Sequence, residues 1–270
     1  MEKIGEIKDR FTKGIEALKT AYTITAAQEA AACLEELEAV YEADERSGVK
    51  TLLQRSQKQR QAAEAELERI YALEHFEREY GQSGVALVCG IDEVGRGPLA
   101  GPVVAGAVIL PPDSPVLYLN DSKQLSAKKR EELYEVIKRE AVSVGIGMAS
   151  PARIDEINIL QATYEAMRQA VGKLSVQPQI LLNDAVTIPG IEIPQVPIIK
   201  GDAKSASIAA ASIVAKVTRD RLMEEYDKTM PEYGFASNKG YGSQAHIEAL
   251  KKFGPSPIHR KSFITHFVQE

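Results

Sequence analysis

The sequence predicts an α/β domain built on a mixed five-stranded sheet flanked by helices, with a helical C-terminal part and an all-α extension in front. Three observations carry this. Residues 1–80 show helical periodicity throughout and no β-like run. Two apolar runs, 85–91 and 103–110, flank a glycine-rich turn too short for a helical crossover, so they form an antiparallel pair. Beyond residue 126, helical segments alternate with short apolar runs, the pattern of strands connected through helices.

In the extension, Ile4, Ile7, Phe11, Ile15 and Leu18 recur at spacings of three and four and mark one face of a first helix. Thr25 and Gln28 have the spacing of a capping box and start a second helix over 26–41, with Leu34, Leu37, Val40 and Tyr41 apolar. Ser47-Gly48 reads as a break, followed by a third helix over 50–80 carrying Leu53, Leu67, Ile70, Tyr71 and Leu73. Lys50, Arg55, Lys58 and Arg60 cluster early in it, as a solvated face or as an accessory contact to a nucleic-acid backbone. Gly81-Gln82-Ser83-Gly84 marks the boundary, which gives a helical domain 1–80 and a second domain 81–270.

In the second domain the first strand ends near Asp92-Glu93, and Pro111-Pro112 ends the second. Ser126 caps a helix reaching about 141, and residues 142–148 form the third strand. Pro151 opens a helix to about 174. The fourth strand, 179–183, has Asp184 at its end, and the fifth, 196–200, leads into Gly201-Asp202. An alanine-rich helix then runs from 203 to about 228, and a last helix covers 243–253.

Composition narrows the function. The 270 residues are 44% hydrophobic and 26% charged, ordinary for a water-soluble globular chain. No apolar run approaches the roughly 20 residues needed to span a bilayer, and the N-terminus lacks a secretion signal, so no membrane role is expected. Only Cys33 and Cys89 occur, which argues against a disulfide framework or a zinc site and for a cytoplasmic location. The net charge of −5 comes from residues 1–80, with 12 basic against 17 acidic side chains; the remainder is neutral. Such a balance argues against strong non-specific nucleic-acid binding without excluding a nucleic-acid substrate, since bound cations cancel acids.

Four carboxylates share one setting: Asp92 and Glu93 at the end of the first strand, Asp184 at the end of the fourth, Asp202 after the fifth. Strand ends of an α/β sheet converge on one rim, where sites in such folds form. Clustered acids repel unless cations are present, and hard Mg²⁺ prefers carboxylate and phosphate oxygens. Two such ions roughly 3.5–4 Å apart suit phosphodiester cleavage. Any one of these acids alone reads first as a turn residue; the four together point to the site. Gly95-Arg96-Gly97 follows at once: glycines admit close backbone approach, arginine pairs with phosphate, and backbone groups there can read a ribose 2′-hydroxyl. The plain alternative is a tight connection with Arg96 solvated. No GxGxxG opens a helix here and no phosphate-binding GxxxxGK[ST] occurs. Tyr241, between Gly240 and Gly242, can stack on a sugar or base, or pack as an ordinary tyrosine. Lys123, Lys200, Lys204, Lys216, Arg219 and Arg221 are available for phosphates, and His259 reads as structural before catalytic.

The stretch Gly90-Ile91-Asp92-Glu93-Val94-Gly95-Arg96-Gly97-Pro98-Leu99-Ala100-Gly101-Pro102-Val103 resembles the signature of type 2 ribonuclease H (ribonuclease HII). So do Asn120-Asp121-Ser122-Lys123, Asp155-Glu156-Ile157-Asn158-Ile159, Lys200-Gly201-Asp202, the run from Ser212 to Asp220, Tyr233-Gly234-Phe235, Lys239-Gly240-Tyr241, and His259-Arg260-Lys261-Ser262-Phe263. The match covers about 85–267 in consistent order, and its variants are most similar to those of Gram-positive bacteria. The resemblance implies an RNase H-like fold and Mg²⁺- or Mn²⁺-dependent cleavage, with two ions, of RNA in RNA–DNA hybrids and 5′ of single ribonucleotides in duplex DNA. The products carry 3′-hydroxyl and 5′-phosphate ends, and the roles implied are primer removal and ribonucleotide excision. Asp92, Glu93, Asp184 and Asp202 match the family's metal-binding catalytic acids. Gly95, Arg96 and Gly97 match its 2′-hydroxyl sensor, and Tyr241 matches the tyrosine against the sugar on the DNA side. Lys123 joins them as a substrate contact. Asn183 departs from the aliphatic residue usual before the third acid. The resemblance says little about residues 1–80, for which an extra nucleic-acid contact and a protein partner both stand open. The rival readings are a binding protein that has lost its nuclease activity and a nuclease indifferent to the sugar.

Overall fold

The computed structural model describes residues 2–112 and 114–267. The chain divides into two compact units, Met1–Glu74 with Asp113–Leu119, and His75–Pro112 with Asn120–Glu270.

The first unit holds helices α1 (Ile4–Lys19), α2 (Ile24–Tyr41) and α3 (Ser47–Leu73). The spacing of three and four puts Ile7, Phe11, Ile15 and Leu18 of α1 in the core with Leu34 and Leu37 of α2 and Val49 and Ile70 of α3. Three local expectations are corrected. The N-cap of α2 is Thr23, whose side chain accepts from the Ala26 amide, so Thr25 lies inside the helix. Ser47 and Gly48 open α3 instead of interrupting it; the turn is at 42–46, where the Asp44 carboxylate accepts from the Arg46 amide. Helix α3 stops at Leu73, and α4 (His75–Gln82) starts again after Glu74. No Gly or Pro stands at that break, so the helical periodicity runs straight through it. Residues 114–119 belong to this unit although they connect elements of the other. Val116, Leu117 and Leu119 are buried, the Tyr118 amide donates to Glu66 (2.7 Å), and Arg69 donates to the Leu119 carbonyl (2.9 Å).

The second unit contains α4, strands β1 (Val88–Val94), β2 (Val103–Ile109), β3 (Ser143–Ala149), β4 (Ile180–Asp184) and β5 (Gln195–Ile198), with helices α5 (Ala127–Glu140), α6 (Pro151–Gly172), α7 (Ala206–Thr229), α8 (Phe235–Asn238), α9 (Gln244–Phe253) and α10 (Lys261–Ile264). The sheet order is β3-β2-β1-β4-β5; β1–β2 and β2–β3 are antiparallel, β1–β4 and β4–β5 parallel. The mixed five-stranded sheet is as the sequence predicts. Strand β1 ends at Val94, one residue past Glu93, because Asp92, Glu93 and Val94 still pair with Gly106, Ala105 and Val104. A ladder partner for the backbone keeps a residue in a strand whatever its side chain carries.

Side chains alternate between the faces of β1. Cys89 and Ile91 join the α6-side core with Val103, Ala105, Leu181, Ala166 and Met167, whereas Val88 joins Leu182 and Ile208 on the α7 side. Gly90 shares the α7 side, and a Cβ there would stand 2.0 Å from the Ser207 carbonyl carbon. At Gly106 it would stand 2.5 Å from the Ala211 oxygen, so glycine alone lets α7 lie this close to the sheet. Among the described residues no helix is long and apolar enough to cross a membrane.

Candidate active site

The alternation that puts Gly90 against α7 puts Asp92 on the same face, at the strand's end. In the parallel pairing of β1 with β4, Ile91 stands beside Asn183, so Asp92 and Asp184 are the next residues along two neighbouring strands. Both face α7. Asp202 enters from a 3-10 turn (Gly201–Ala203) after β5, and the Gly201 amide donates to Asp184 Oδ1 at 2.8 Å, tying turn to strand. Glu93 faces the other side and pairs with Arg96 at 3.2 Å.

Electrostatics shows how costly this arrangement is. Burial, then the Glu93 charge, pushes Asp92 up to about 8, with Asp184 adding and a hydrogen bond from Ser212 opposing. Burial raises Glu93 as well, against the pull of Arg96. Asp202 is raised by burial and then by Asp121 and Asp184, while Lys123 draws it back. The charge of Asp92, Glu93 and Asp202 is thus disfavoured where they stand, with Asp184 and Asp121 among the charges that act on them. Such oxygen donors fit divalent cations, which would relieve the repulsion. Glu93 Oε2 is buried without a hydrogen-bond partner, a lone pair left for a cation. Among the described residues no group of three His, Cys, Asp or Glu side chains is arranged to hold an ion as it stands. The donor chemistry and the mutual repulsion decide the fit.

The turn after β1 is bound from two directions. Gly95 has φ +89°, in the left-handed region that favours glycine. The Leu99 amide donates to the Gly240 carbonyl at 2.8 Å, and the Arg260 amide to Leu99 at 2.9 Å. As a result a Cβ on Gly97 would lie 4.0 Å from the Tyr241 ring, and Tyr241 is 46% exposed beside it. Arg96 and Gly97 are exposed and Gly95 is buried. Lys123, Lys200 and Lys204 are exposed near or on the Asp202 turn.

Three of the six basic residues available for phosphates are engaged elsewhere. Arg219 is fully buried and donates to the carbonyls of Ala100, Pro102 and Lys239. Arg221 pairs with Glu131 and Glu135, and Lys216 with Asp220 at 2.7 Å. An α-helix directs successive side chains all round its axis, so their nearness in sequence to the site says nothing of where they point. His259 is structural, as the sequence suggests. His246 Nδ1 donates to the Tyr241 carbonyl at 2.8 Å, which leaves its Nε2 to accept from His259 Nε2 at 3.0 Å; His259 Nδ1 accepts from the Ser256 amide. Residues not foreseen from the sequence are Ser212 beside Asp92, His246 behind Tyr241, and Arg260. The Arg260 guanidinium donates to the carbonyls of Gly95, Arg96 and Gly101 and is fully buried. Ser212 and Arg260 lie inside family-like motifs, but an arginine's burial has no signal in sequence.

Comparison with known proteins agrees with this geometry. A family model described as "Ribonuclease HII" matches residues 89–266, and one described as "Ribonuclease HII N-terminal domain" matches residues 3–81. The chain is 67% identical over 224 residues to a ribonuclease HII of Lachnoclostridium phytofermentans, covering 83% of this chain and 87% of the relative. It is 50% identical over 252 residues to that of Enterococcus faecalis, covering 93% and 96%. Among solved structures, the ribonuclease HII in a complex with PCNA from Archaeoglobus fulgidus superimposes with TM-score 0.56 at 26% identity, over 68% of this chain and 98% of that one. The mixed sheet with its helices is therefore the RNase H-like fold, and the chain belongs to the ribonuclease HII family, including that family's N-terminal domain.

Proposed function

We propose that the ribonuclease HII cut is made in this chain at the rim where Asp92 and Asp184 stand side by side, with Glu93 and Asp202 completing the acid cluster. As a member of its family the chain is an endoribonuclease that hydrolyses RNA in RNA–DNA hybrids and at ribonucleotides embedded in duplex DNA. The observation that carries the assignment is the parallel register, which brings two acids from distant parts of the sequence to adjacent strand ends on the α7 face. The four carboxylates would hold two Mg²⁺ or Mn²⁺ ions, and the chemistry supplied there would be water activation and relief of the charge developing on the leaving 3′ oxygen. No side chain acts as nucleophile. The Gly201 amide orients Asp184.

Arg96 and the amides at Gly95 and Gly97 hold the phosphate and sense the 2′-hydroxyl, and the half-exposed Tyr241 ring packs on the neighbouring sugar. Lys123, which already acts electrostatically on Asp202, reaches the substrate backbone. The decisive assay is a duplex with a single embedded ribonucleotide. A Mg²⁺-dependent nick 5′ of that ribonucleotide, leaving 3′-hydroxyl and 5′-phosphate ends and lost in Asp92→Asn, is expected; a nick that survives the substitution, or equal cutting of all-DNA duplex, overturns the assignment.

For residues 1–80, as for a second domain over 81–270, the proposal is a module serving the cytoplasmic nuclease. Of its basic cluster, Arg60 is paired with Glu35 and Glu38 and Lys50 with Glu45, which leaves Arg55 and Lys58 exposed on α3. Those two charges favour an added contact to the hybrid backbone. Unchanged affinity and salt dependence in Arg55→Glu/Lys58→Glu would leave a protein partner, for which exposed Val40 and Tyr71 offer apolar surface.

A further inference from the structure

The segment matched as the family's N-terminal domain ends at residue 81, yet its last helix, α4, lies in the unit that carries the sheet. Phe76 and Tyr80 pack against the cluster of Val88, Leu182, Ile198 and Ile208 on the α7 face. Between them Glu77 reaches the start of α7. Its Oε1 accepts from the Ser205 hydroxyl at 2.6 Å and from the Ser207 amide at 2.9 Å. Ser205 is the N-cap residue; its oxygen also accepts from the Ile208 amide at 3.2 Å, and both Ser205 and Ser207 are fully buried.

An α-helix begins with amides that no internal carbonyl can satisfy, and it presents a partial positive charge at that end. Here the N-cap serine supplies one acceptor and Glu77 supplies a second, with a negative charge aligned to the dipole. What makes this more than a cap is what the helix start touches. The Ser205 and Lys204 amides both donate to the Gly201 carbonyl at 2.9 Å, the Gly201 amide donates to Asp184, and Asp202 sits inside that same turn. On the other side, Ser207 and Ile208 press on Gly90, two residues before Asp92. One carboxylate from outside the sheet therefore fixes the point at which three of the four acids are held in relation to one another.

We propose that Glu77 is a positioning residue for the cation site, acting through Ser205 and the Gly201–Ala203 turn on Asp202 and Asp184. The inference rests on the reading of those acids as cation ligands. It assigns to α4, a helix outside the ribonuclease HII core match, a part in the reaction that is separate from any contact the rest of the extension makes with substrate.

The test uses the full-length protein and four variants. Glu77→Ala removes both acceptor bonds; Glu77→Gln keeps a carbonyl oxygen able to make both; Ser205→Ala removes the hydroxyl alone; Asp202→Asn reports on the cation reading. Mn²⁺ affinity of the free protein is measured by titration calorimetry, the Mg²⁺ concentration for half-maximal nicking and KM for the embedded-ribonucleotide duplex are measured at saturating partner, and exchange of the 205–208 amides is followed by mass spectrometry. Outer groups that orient cation ligands typically change affinity by about 10–100-fold. Glu77→Ala is expected to weaken Mn²⁺ about tenfold, raise the Mg²⁺ requirement similarly, speed exchange at 205–208 and leave KM within about twofold, with Glu77→Gln restoring most of the loss. Ser205→Ala moves the same readouts less far and carries the test if Glu77→Ala does not fold. Mn²⁺ affinity unchanged in folded Glu77→Ala, or lost equally in Glu77→Gln, overturns the proposal. If Asp202→Asn keeps Mn²⁺ affinity and nicking while Glu77→Ala loses them, the reading of Asp202 fails instead.

Discussion

Asp92 is buried, surrounded by acids, and raised to about 8, so its charge is costly wherever no cation balances it. Replacing it with asparagine keeps the shape and removes that cost. Asp92→Asn is expected to melt at or above wild type in chelator, to gain nothing from Mg²⁺, and to lose nicking by at least about 10³-fold, as thermal melts with and without Mg²⁺ and the embedded-ribonucleotide assay would report. Arg260 poses the opposite case, a buried cation made tolerable by the carbonyls of Gly95, Arg96 and Gly101. Burial, with the Arg219 charge, pulls its pKa down to about 9, and it stays charged at neutral pH. Arg260→Ala leaves those carbonyls buried without donors and should destabilise by about 3 kcal/mol in urea unfolding. Lysine lacks the planar fork that reaches three carbonyls, so Arg260→Lys should recover less than half of that loss.

At the scale of elements, the site depends on how closely α7 lies on β1. Gly90→Ala puts a methyl group into the backbone at Ser207, which the helix can accommodate only by moving off the strand that bears Asp92. A loss of about 2–3 kcal/mol is expected, with weaker Mn²⁺ binding in the fraction that folds. The C-terminal elements α8 to α10 are joined through a pair of imidazoles. His246 holds the Tyr241 carbonyl and receives a proton bond from His259, so both rings must be neutral. Burial, then the His246 charge, lowers His259 from 6.5 to about 4, and burial lowers His246. Because the folded value lies below the unfolded one, the stabilisation is complete above about pH 6.5 and is lost as pH falls toward 4. Between pH 7.5 and 5 the loss should be about 1–2 kcal/mol after screening, and urea unfolding of His259→Gln should lack most of that slope.

For the whole molecule, an acidic protein that acts on a polyanion needs its positive charges placed, since it has none in excess. Arg55 and Lys58 in the helical unit are exposed, as are Lys123, Lys200 and Lys204 in the other, whereas Arg60, Lys216 and Arg221 are paired with acids. If both α3 charges meet phosphates, Arg55→Ala/Lys58→Ala should lower the slope of log affinity against log salt by about 2. Hybrid binding measured between low and moderate salt checks this.

The sequence by itself determined the helical extension, the antiparallel opening of the sheet, the five strands and the four acids at strand ends, because periodicity, turn residues and charged strand ends are local signals. It placed Gly95-Arg96-Gly97 directly behind the first two acids. Only the tertiary structure decided the rest. Parallel pairing of β4 with β1 makes Asp184 the neighbour of Asp92. Hydrogen bonds to Gly240 carry Tyr241 to Gly97, and burial turns Arg219 from an available phosphate contact into a support for the turn, where the unforeseen Arg260 joins it. The break at Glu74, which gives Glu77 to the catalytic sheet, left no trace in a continuous helical pattern. Which groups meet across a hundred residues, and which cations end up enclosed, depends on the closure of the chain on itself, and no local pattern encodes that distance.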